Sequence, residues 1–308
     1  MAADQERMLA REVDFSSYAL PSIDTIERDE VYERILEAES CLASSGHTLK
    51  GYDSGTASYD DEIFAVRGLN AALITTEHAT THYRQQKNSA QGRRRKGPDL
   101  GTAGLGYVVH KDTDASFVSP LGRQTGDANH DIEHPLKEVI RPMVAATGVF
   151  GHLSLHGMNF GRVASLDDER AFNVVIGIGD NPTEETKDFA DKALQAAATY
   201  DLRAAVNQSV IRFKPGTRTP RLREDNSIET ISFAARGSGT TRAFTQAVAE
   251  SQSKPFITAQ IELSSSMRLL HPELSNYPGE DTQRIGVHLG YLFVHKCVEL
   301  IDASQKAT

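Results

Sequence analysis

Short apolar segments recur along the chain and alternate with stretches of helical spacing. Four of them have the length and the Val, Ile, Leu, Phe and Ala content of buried strands: AALITT at 71–76, VFGHLSLH at 149–156, FNVVIGIG at 172–179 and FITAQIEL at 256–263. Strands that alternate with helices pair mainly in parallel, in a sheet that helices cover on both faces. The pattern therefore predicts an α/β fold with a mixed, mostly parallel sheet and helices on both faces.

Three segments carry the spacing or the end signals of helices. Apolar residues recur at roughly helical spacing over residues 26–43. Pro182 suits a first helical turn, and Glu184 and Glu185 favour the positive end of the helix that follows it. A last helical stretch, residues 283–303, closes the domain.

The division of the chain follows from a change in composition. Residues 46–61, GHTLKGYDSGTASYDD, are rich in Gly, Ser and Asp, which is typical of a connector. We predict an N-terminal helical extension and connector over residues 1–60, and a single α/β domain over residues 61–308.

Charged and imidazole side chains stand at the ends of three predicted strands. Glu77 and His78 follow the first strand, His156 ends the second, and Glu262 lies near the end of the last. The carboxyl ends of parallel strands converge, and a catalytic zinc site needs three protein ligands and an open position for water. The alternative is a structural role, in which the histidines are hydrogen-bonded core residues and Glu262 pairs with Arg268.

Three other segments carry weaker signals. HATTH at 78–82 has two histidines at the spacing of a helical metal motif, but it lacks the glutamate directly after the first histidine. RRRK at 93–96 lies in a polar, glycine-flanked segment, which favours a solvated loop over an anion site. ARGSGTTRAF at 235–244 is typical of a surface loop, with a mobile substrate loop as the alternative.

Charge and composition disfavour several function classes. The formal net charge of −9 opposes a broad nucleic-acid surface, which needs clustered and uncompensated Lys and Arg. No segment has the apolar length of a signal peptide or a membrane span. Cys41 and Cys297 lie far apart and form no metal or disulfide pattern, which suits a reducing cytoplasm. We expect a cytoplasmic protein with a small-molecule substrate and no nucleic-acid or membrane partner, either monomeric or homo-oligomeric.

A succession of five motifs resembles one known family. LITTEHAT, GPDLGTAGLGYVV, GRQTGDANH, GHLSLHGM and AQIELSSSMR are similar, in order and approximate spacing, to the N-formylglutamate amidohydrolase family, which is related to the zinc carboxypeptidases. The resemblance covers roughly residues 70–270. It implies a zinc-exopeptidase or phosphorylase/hydrolase-like fold and Zn²⁺-dependent hydrolysis of a C–N amide bond in a small N-acyl amino acid or related compound. The rivals are a metallocarboxypeptidase or peptide amidase, and a non-catalytic small-molecule binding protein on the same fold.

The resemblance also implies roles for individual residues. His78 and His156 take the places of the two histidine ligands of the metal. Asp99, in the PDLG segment, is the expected acidic ligand, and Glu77 is the alternative because it adjoins His78. Neighbours on a strand point to opposite faces, so Glu77 and His78 would reach one ion only if the chain turns there. Glu262 takes the place of the glutamate that serves as general base.

The segment that would bind a substrate carboxylate departs from the family's pattern. Arg123, Asp127 and Asn129 resemble its members, but His130 stands where an arginine is expected. Arginine offers a permanent bidentate fork to a carboxylate and histidine does not. We predict that Asp127, Asn129 and His130 contact the substrate, and that Arg123 stabilises the oxyanion or binds a substrate anion.

Overall fold

The fold is described from a computed structural model, which covers residues 28–43, 63–80, 82–85, 93–96, 98–122, 124–158, 171–212, 214, 219–269 and 280–308. The strands in this part of the chain are β1 Ile63–Val66, β2 Ala72–Thr75, β3 His82–Gln85, β4 Arg93–Lys96, β5 Ser116–Pro120, β6 Gly151–Met158, β7 Val174–Gly177, β8 Ala204–Val206, β9 Ser209–Ile211, β10 Thr230–Ser232 and β11 Ile257–Ser264. The helices are α1 Arg28–Ala43, α2 Thr102–Thr113, α3 Pro135–Ala145, α4 Glu184–Thr199, α5 Thr241–Glu250 and α6 Glu280–Ala307, and a short 3₁₀ turn spans Ser265–Met267.

A seven-stranded sheet forms the centre of the fold, in the order β1-β5-β2-β6-β11-β7-β8. The pairs β5–β2, β2–β6, β6–β11 and β7–β8 are parallel, whereas β1–β5 and β11–β7 are antiparallel. Every residue of β2 and β11 is buried, because both faces of the sheet are covered. The predicted mixed, mostly parallel sheet is confirmed.

Helices cover the two faces unequally. α1, α2, α4 and α6 pack on one face, where they share a large apolar core with the sheet. α3 and α5 pack together on the other face, around a smaller apolar cluster that includes Leu73 and Val118 from the sheet. No helix within the described residues is long and apolar enough to cross a membrane.

The N-terminal helix is part of the main core. Val31, Ile35 and Leu42 of α1 are at most 2% exposed, and they belong to the same apolar cluster as the buried residues of α2 and α6. The predicted helix is therefore present and packs against the α/β domain. The connector predicted at residues 46–61 lies outside the described residues.

One local expectation differs from the structure. RRRK does not form a loop: it is strand β4 and pairs antiparallel with β3. The partner strand lies about ten residues away, and its pairing overrides the local polar composition. HATTH, in which the sequence disfavoured a helical metal motif, has His78 in a turn and His82 at the start of β3.

Helix α6 approaches the 3₁₀ turn so closely that Gly286 is required. A Cβ at this position would overlap the carbonyl oxygen of Ser266. Alanine normally favours a helix over glycine by about 1 kcal/mol, but here the overlap with rigid backbone decides the sign. We expect Gly286→Ala to lower the free energy of unfolding by about 1–3 kcal/mol, measured by urea titration. The control is Gly148→Ala, because a Cβ there meets no atom within 4 Å; equal stability of both variants would contradict the close packing.

Candidate metal centre

Two adjacent parallel strands bring His78 and His156 together. In the β2–β6 pair, Thr75 lies beside Ser154. His78 follows Thr75 and His156 follows Ser154 within a few residues, so the two histidines lie at the same edge of the sheet. β2 ends at Thr75, and the chain turns over residues 77–80. The rings of His78 and His156 meet edge to face with centroids 4.6 Å apart, and both side chains are buried.

Asp99 faces both histidines with one oxygen atom. Its Oδ2 lies 3.6 Å from Nδ1 of His78 and 3.5 Å from Nδ1 of His156. These separations are long for hydrogen bonds. Ligands at 2.0–2.1 Å from a tetrahedral zinc ion are themselves about 3.3 Å apart. The three donor atoms therefore have the spacing of a metal site, and the donor set of two imidazoles and one carboxylate suits zinc.

The outward nitrogen of each ring faces a second carboxylate. Nε2 of His78 lies 2.9 Å from Oδ1 of Asp127, and Nε2 of His156 lies 3.4 Å from Oε2 of Glu77. Metal-binding histidines commonly give their other N–H to a carboxylate, which fixes the tautomer and the ring orientation. Because Glu77 lies at the far nitrogen of His156, the geometry favours Asp99 over Glu77 as the acidic ligand.

Asp127 does not have the surroundings of a substrate-binding residue. Its side chain is fully buried, and Oδ1 also accepts hydrogen bonds from the backbone N–H groups of Asn129 and His130, at 3.1 and 3.2 Å. The loop turns this carboxylate inwards, behind His78, and contact of Asp127 with the substrate stays a prediction. Lys137 holds this loop from below, where its buried ammonium donates to the carbonyl groups of Asn129, Asp131 and Gly239.

A second group of possible metal ligands consists of His78, His82 and Asp127. His82 stacks on His78 with centroids 4.2 Å apart, and its Nε2 lies 3.8 Å from Oδ2 of Asp127. These three residues also lie within reach of one ion. However, the 2.9 Å between His78 and Asp127 is a hydrogen-bond distance and is shorter than the ligand spacing expected around zinc. The group with Asp99 and His156 therefore fits a metal better.

Glu77 is fixed by hydroxyl groups in the layer beneath the site. It accepts hydrogen bonds from Thr75 and from Ser154, the latter at 2.8 Å. Oγ1 of Thr75 lies 2.7 Å from Nε2 of His152, and burial lowers the pKa of His152 to about 4. Burial disfavours the charge of Glu77, but His156 outweighs it and lowers the pKa of Glu77. A neutral imidazole thus supports a charged carboxylate.

The buried groups perturb one another's protonation. Burial opposes the charge of His78 and His156, but Asp127 outweighs it for the first, and Asp99 and Glu77 outweigh it for the second. The pKa of His78 is raised, and that of His156 is raised well above its usual value. Burial also opposes the charge of Asp99, yet the two histidines hold its pKa well below normal. Without a metal, the neighbouring carboxylates therefore favour the protonated form of both imidazoles.

Glu262 lies beside the three donors. The parallel pairing of β11 with β6 places Glu262 next to His156, and Gln260 donates to Oε1 of Glu262 at 2.6 Å. Burial raises the pKa of Glu262, which strengthens the carboxylate as a base. The structural alternative, an ion pair with Arg268, is not favoured, because the guanidinium of Arg268 donates to the carbonyl groups of Leu100, Leu263 and Met158.

An open cavity of about 410 Å³ lies above these groups. The residues that line it include His78, Asp99, His156 and Glu262, together with Lys96, Asn129, His130 and Arg236. Arg236 belongs to the loop that we expected at the surface; it lines the cavity and pairs with Asp180 at 2.7 Å. Asn129 and His130 are thus placed where a substrate could reach them, although Oδ1 of Asn129 already accepts from the N–H of Thr241. Arg123 lies outside the described residues.

The comparisons with known proteins were made for sequence and for structure. No protein-family model matches the sequence, and no curated protein matches it. Among solved structures, the chain is similar to an N-formylglutamate amidohydrolase from Ralstonia eutropha JMP134, with a TM-score of 0.40 and 11% identity over 81% of this chain and 100% of that one. It is similar to a metallo-carboxypeptidase from Pseudomonas aeruginosa, with a TM-score of 0.38 and 13% identity over 90% and 70%.

The chain is also similar to a purine nucleoside phosphorylase from Toxoplasma gondii, with a TM-score of 0.35 and 11% identity over 75% of this chain and 91% of that one. The similar structures thus include the family that the motifs resemble, metallo-carboxypeptidases and an enzyme of another reaction class. At these identities and TM-scores they carry no argument about the site, and its assignment rests on its own geometry.

Both donor groups contain His78, so they are distinguished by replacing the other histidine of each group, which is His156 in one and His82 in the other. We expect His156→Ala to lose most of the bound zinc, because it deletes one of three ligands. His82→Ala should retain zinc, with an affinity lowered by at most the roughly 10–100-fold that is typical for loss of a residue outside the ligand set. Zinc content after dialysis, with far-UV circular dichroism as a check on folding, measures both. Loss of zinc from His82→Ala together with retention by His156→Ala would identify the group with Asp127 instead.

The raised pKa values of His78 and His156 predict that metal binding releases protons. Because the neighbouring carboxylates favour the protonated imidazoles and a metal ion binds the neutral ones, zinc affinity should rise with pH. Calorimetric titration in buffers of different ionisation enthalpy should show a net release of protons on zinc binding. An affinity that does not change between about pH 6 and pH 8, with no proton release, would contradict the charge states described above.

Proposed function

We propose that the protein is a zinc-dependent hydrolase that cleaves the C–N amide bond of a small N-acyl amino acid or a related compound. The observation that carries this proposal is the group of His78, Asp99 and His156, with metal-ligand spacing, which lines a cavity together with the buried base Glu262. A cavity of about 410 Å³ is within the range of small-molecule sites. The cytoplasmic location expected from the two distant cysteines remains part of the proposal.

The chain's own residues divide the work of hydrolysis. A divalent ion held by His78, Asp99 and His156 supplies Lewis-acid chemistry, which polarises an acyl carbonyl and acidifies water. Glu262 takes the proton of the attacking water on its carboxylate, and then delivers it to the leaving nitrogen so that the C–N bond breaks to an acid and an amine. Asp127 and Glu77 keep the two imidazoles oriented throughout, and Arg123 is proposed to stabilise the oxyanion.

Recognition of the substrate differs from an arginine-anchored carboxylate site. His130 lines the cavity in place of an arginine, and its ring centroid lies 6.5 Å from that of His78. The described cationic side chains that line the cavity are Lys96 and Arg236, and Arg236 pairs with Asp180. An anionic substrate would therefore meet these side chains instead of a fixed arginine fork at position 130.

Two rival functions use the same site differently. A metallocarboxypeptidase or peptide amidase would hydrolyse peptides, which need a groove that extends beyond the cavity. A binding protein would hold the ligand without turnover. The rivals are distinguished by comparing formylglutamate, short peptides and their amides as substrates, in zinc-loaded and zinc-stripped protein.

Glu262→Gln tests the proposed reaction. Glutamine keeps the shape of the side chain but cannot accept a proton, so hydrolysis should fall by at least about 100-fold while zinc remains bound. The measurements are kcat/KM for the best N-acyl substrate and zinc content by elemental analysis. Loss of zinc from this variant would make Glu262 a ligand, and unchanged hydrolysis would remove it from the mechanism. Glu250→Gln, an exposed position on α5, is the matched control.

A further inference from the structure

Helix α2 begins shortly after Asp99, and its N-cap residue offers no side-chain acceptor to the first N–H groups of the helix. Its N-cap is Gly101, which has φ 79° and no side chain to accept a hydrogen bond, and its first turn contains no acidic residue. The first N–H groups of a helix need acceptors from elsewhere. The carboxylate of Glu39, on helix α1, supplies them: it accepts from the N–H of Gly101 at 2.9 Å and from that of Gly104 at 2.6 Å.

Glu39 is a buried carboxylate that the packing of two helices holds in place. It is 2% exposed, and burial raises its pKa, while the two backbone N–H groups and the charge of Arg268 oppose the rise. Its negative charge lies at the positive end of α2. A Cβ at Gly104 would lie 2.5 Å from the carbonyl oxygen of Ile35, so only glycine lets α1 approach this closely.

Arg268 also holds this turn, through a hydrogen bond to its backbone. Its guanidinium donates to the carbonyl oxygen of Leu100 at 2.6 Å and to that of Leu263 at 3.2 Å. It also fills the space that a Cβ of Gly157 would occupy. The N–H of Gly157 in turn donates to Oδ2 of Asp99 at 3.0 Å, and this is the oxygen that faces both histidines.

We propose that Glu39 is a positioning residue for Asp99, so that the N-terminal helix sets the geometry of the candidate metal centre. The turn from Asp99 to Gly104 is fixed by Glu39 and by Arg268, and Oδ2 of Asp99 is aimed between His78 and His156 as a result. The metal role of Asp99 rests on the proposed function, whereas the contacts that hold Asp99 do not.

Glu39→Gln tests this inference, with Val31→Ala as the matched control. Glutamine has one acceptor oxygen, so one helix N–H loses its partner and the turn loosens. Val31 is a fully buried residue of the same helix, and its truncation weakens the packing of α1 without touching the turn. The two variants are compared by zinc affinity in a chelator competition and, in metal-free protein, by hydrogen exchange of the Gly157 amide.

We expect Glu39→Gln to lower zinc affinity by about 10–100-fold relative to Val31→Ala, as for loss of an outer partner of a metal ligand. The Gly157 amide, which does not contact Glu39, should exchange at least about tenfold faster in Glu39→Gln than in the control. Glu39→Asp, with a retracted carboxylate, gives the same comparison if the glutamine variant does not fold. Equal Gly157 exchange in variant and control would overturn the inference. Wild-type protein without zinc affinity would reject the proposed function, while Gly157 exchange would still decide the role of Glu39.

Discussion

The contact of one carboxylate oxygen with two imidazole nitrogens is the constraint on which the site depends. Oδ2 of Asp99 faces Nδ1 of both His78 and His156, at 3.6 and 3.5 Å. This arrangement turns both Nε2 atoms away from the cavity, where each needs an acceptor because it is buried. Asp127 meets that need for His78 by a hydrogen bond of 2.9 Å, whereas Oε2 of Glu77 lies 3.4 Å from Nε2 of His156, at ion-pair distance. The inner donor group and the outer carboxylates are therefore two consequences of one ring orientation.

The charges of this cluster explain why a divalent cation suits it. The carboxylates of Glu77, Asp99 and Asp127 are buried with His78 and His156, whose pKa values are raised. When both imidazoles are protonated, their two positive charges offset two of the three carboxylates. One divalent ion that replaces two protons leaves the net charge of the cluster unchanged, so the contacts of Asp127 and Glu77 with the imidazoles can persist in both states. A monovalent ion in place of two protons would leave one further buried negative charge without compensation.

A feature could be predicted from the sequence when it depends on residues close together in the chain, and not when it depends on contacts between distant segments. The apolar runs predicted the strands, and their alternation with helices predicted the convergence of His78 and His156, because the carboxyl ends of parallel strands meet at one edge of a sheet. The contact of Asp127 with His78 could not be predicted, because the direction of a loop side chain depends on which residues the fold places near it. Glu39 gave no local signal, because its partner Gly101 lies 62 positions away in sequence, and neither did the contact of Lys137 with Gly239, 102 positions away. Such contacts depend on tertiary packing, which composition and periodicity do not report.

The same cluster ties the stability of the metal-free protein to pH from both sides. The raised folded-state pKa values of His78 and His156 contribute stability that is fully present below their unfolded pKa of about 6.5 and is lost as pH rises through the folded values. The lowered values of Glu77 and Asp99 contribute stability that is present above about pH 4 and is lost as pH falls through their folded values. In the metal-free protein, protonation of His78 and His156 therefore stabilises the folded state up to the pH at which the two imidazoles lose their protons. Above that pH a metal ion competes with fewer protons, and its binding replaces the stabilisation that they supplied.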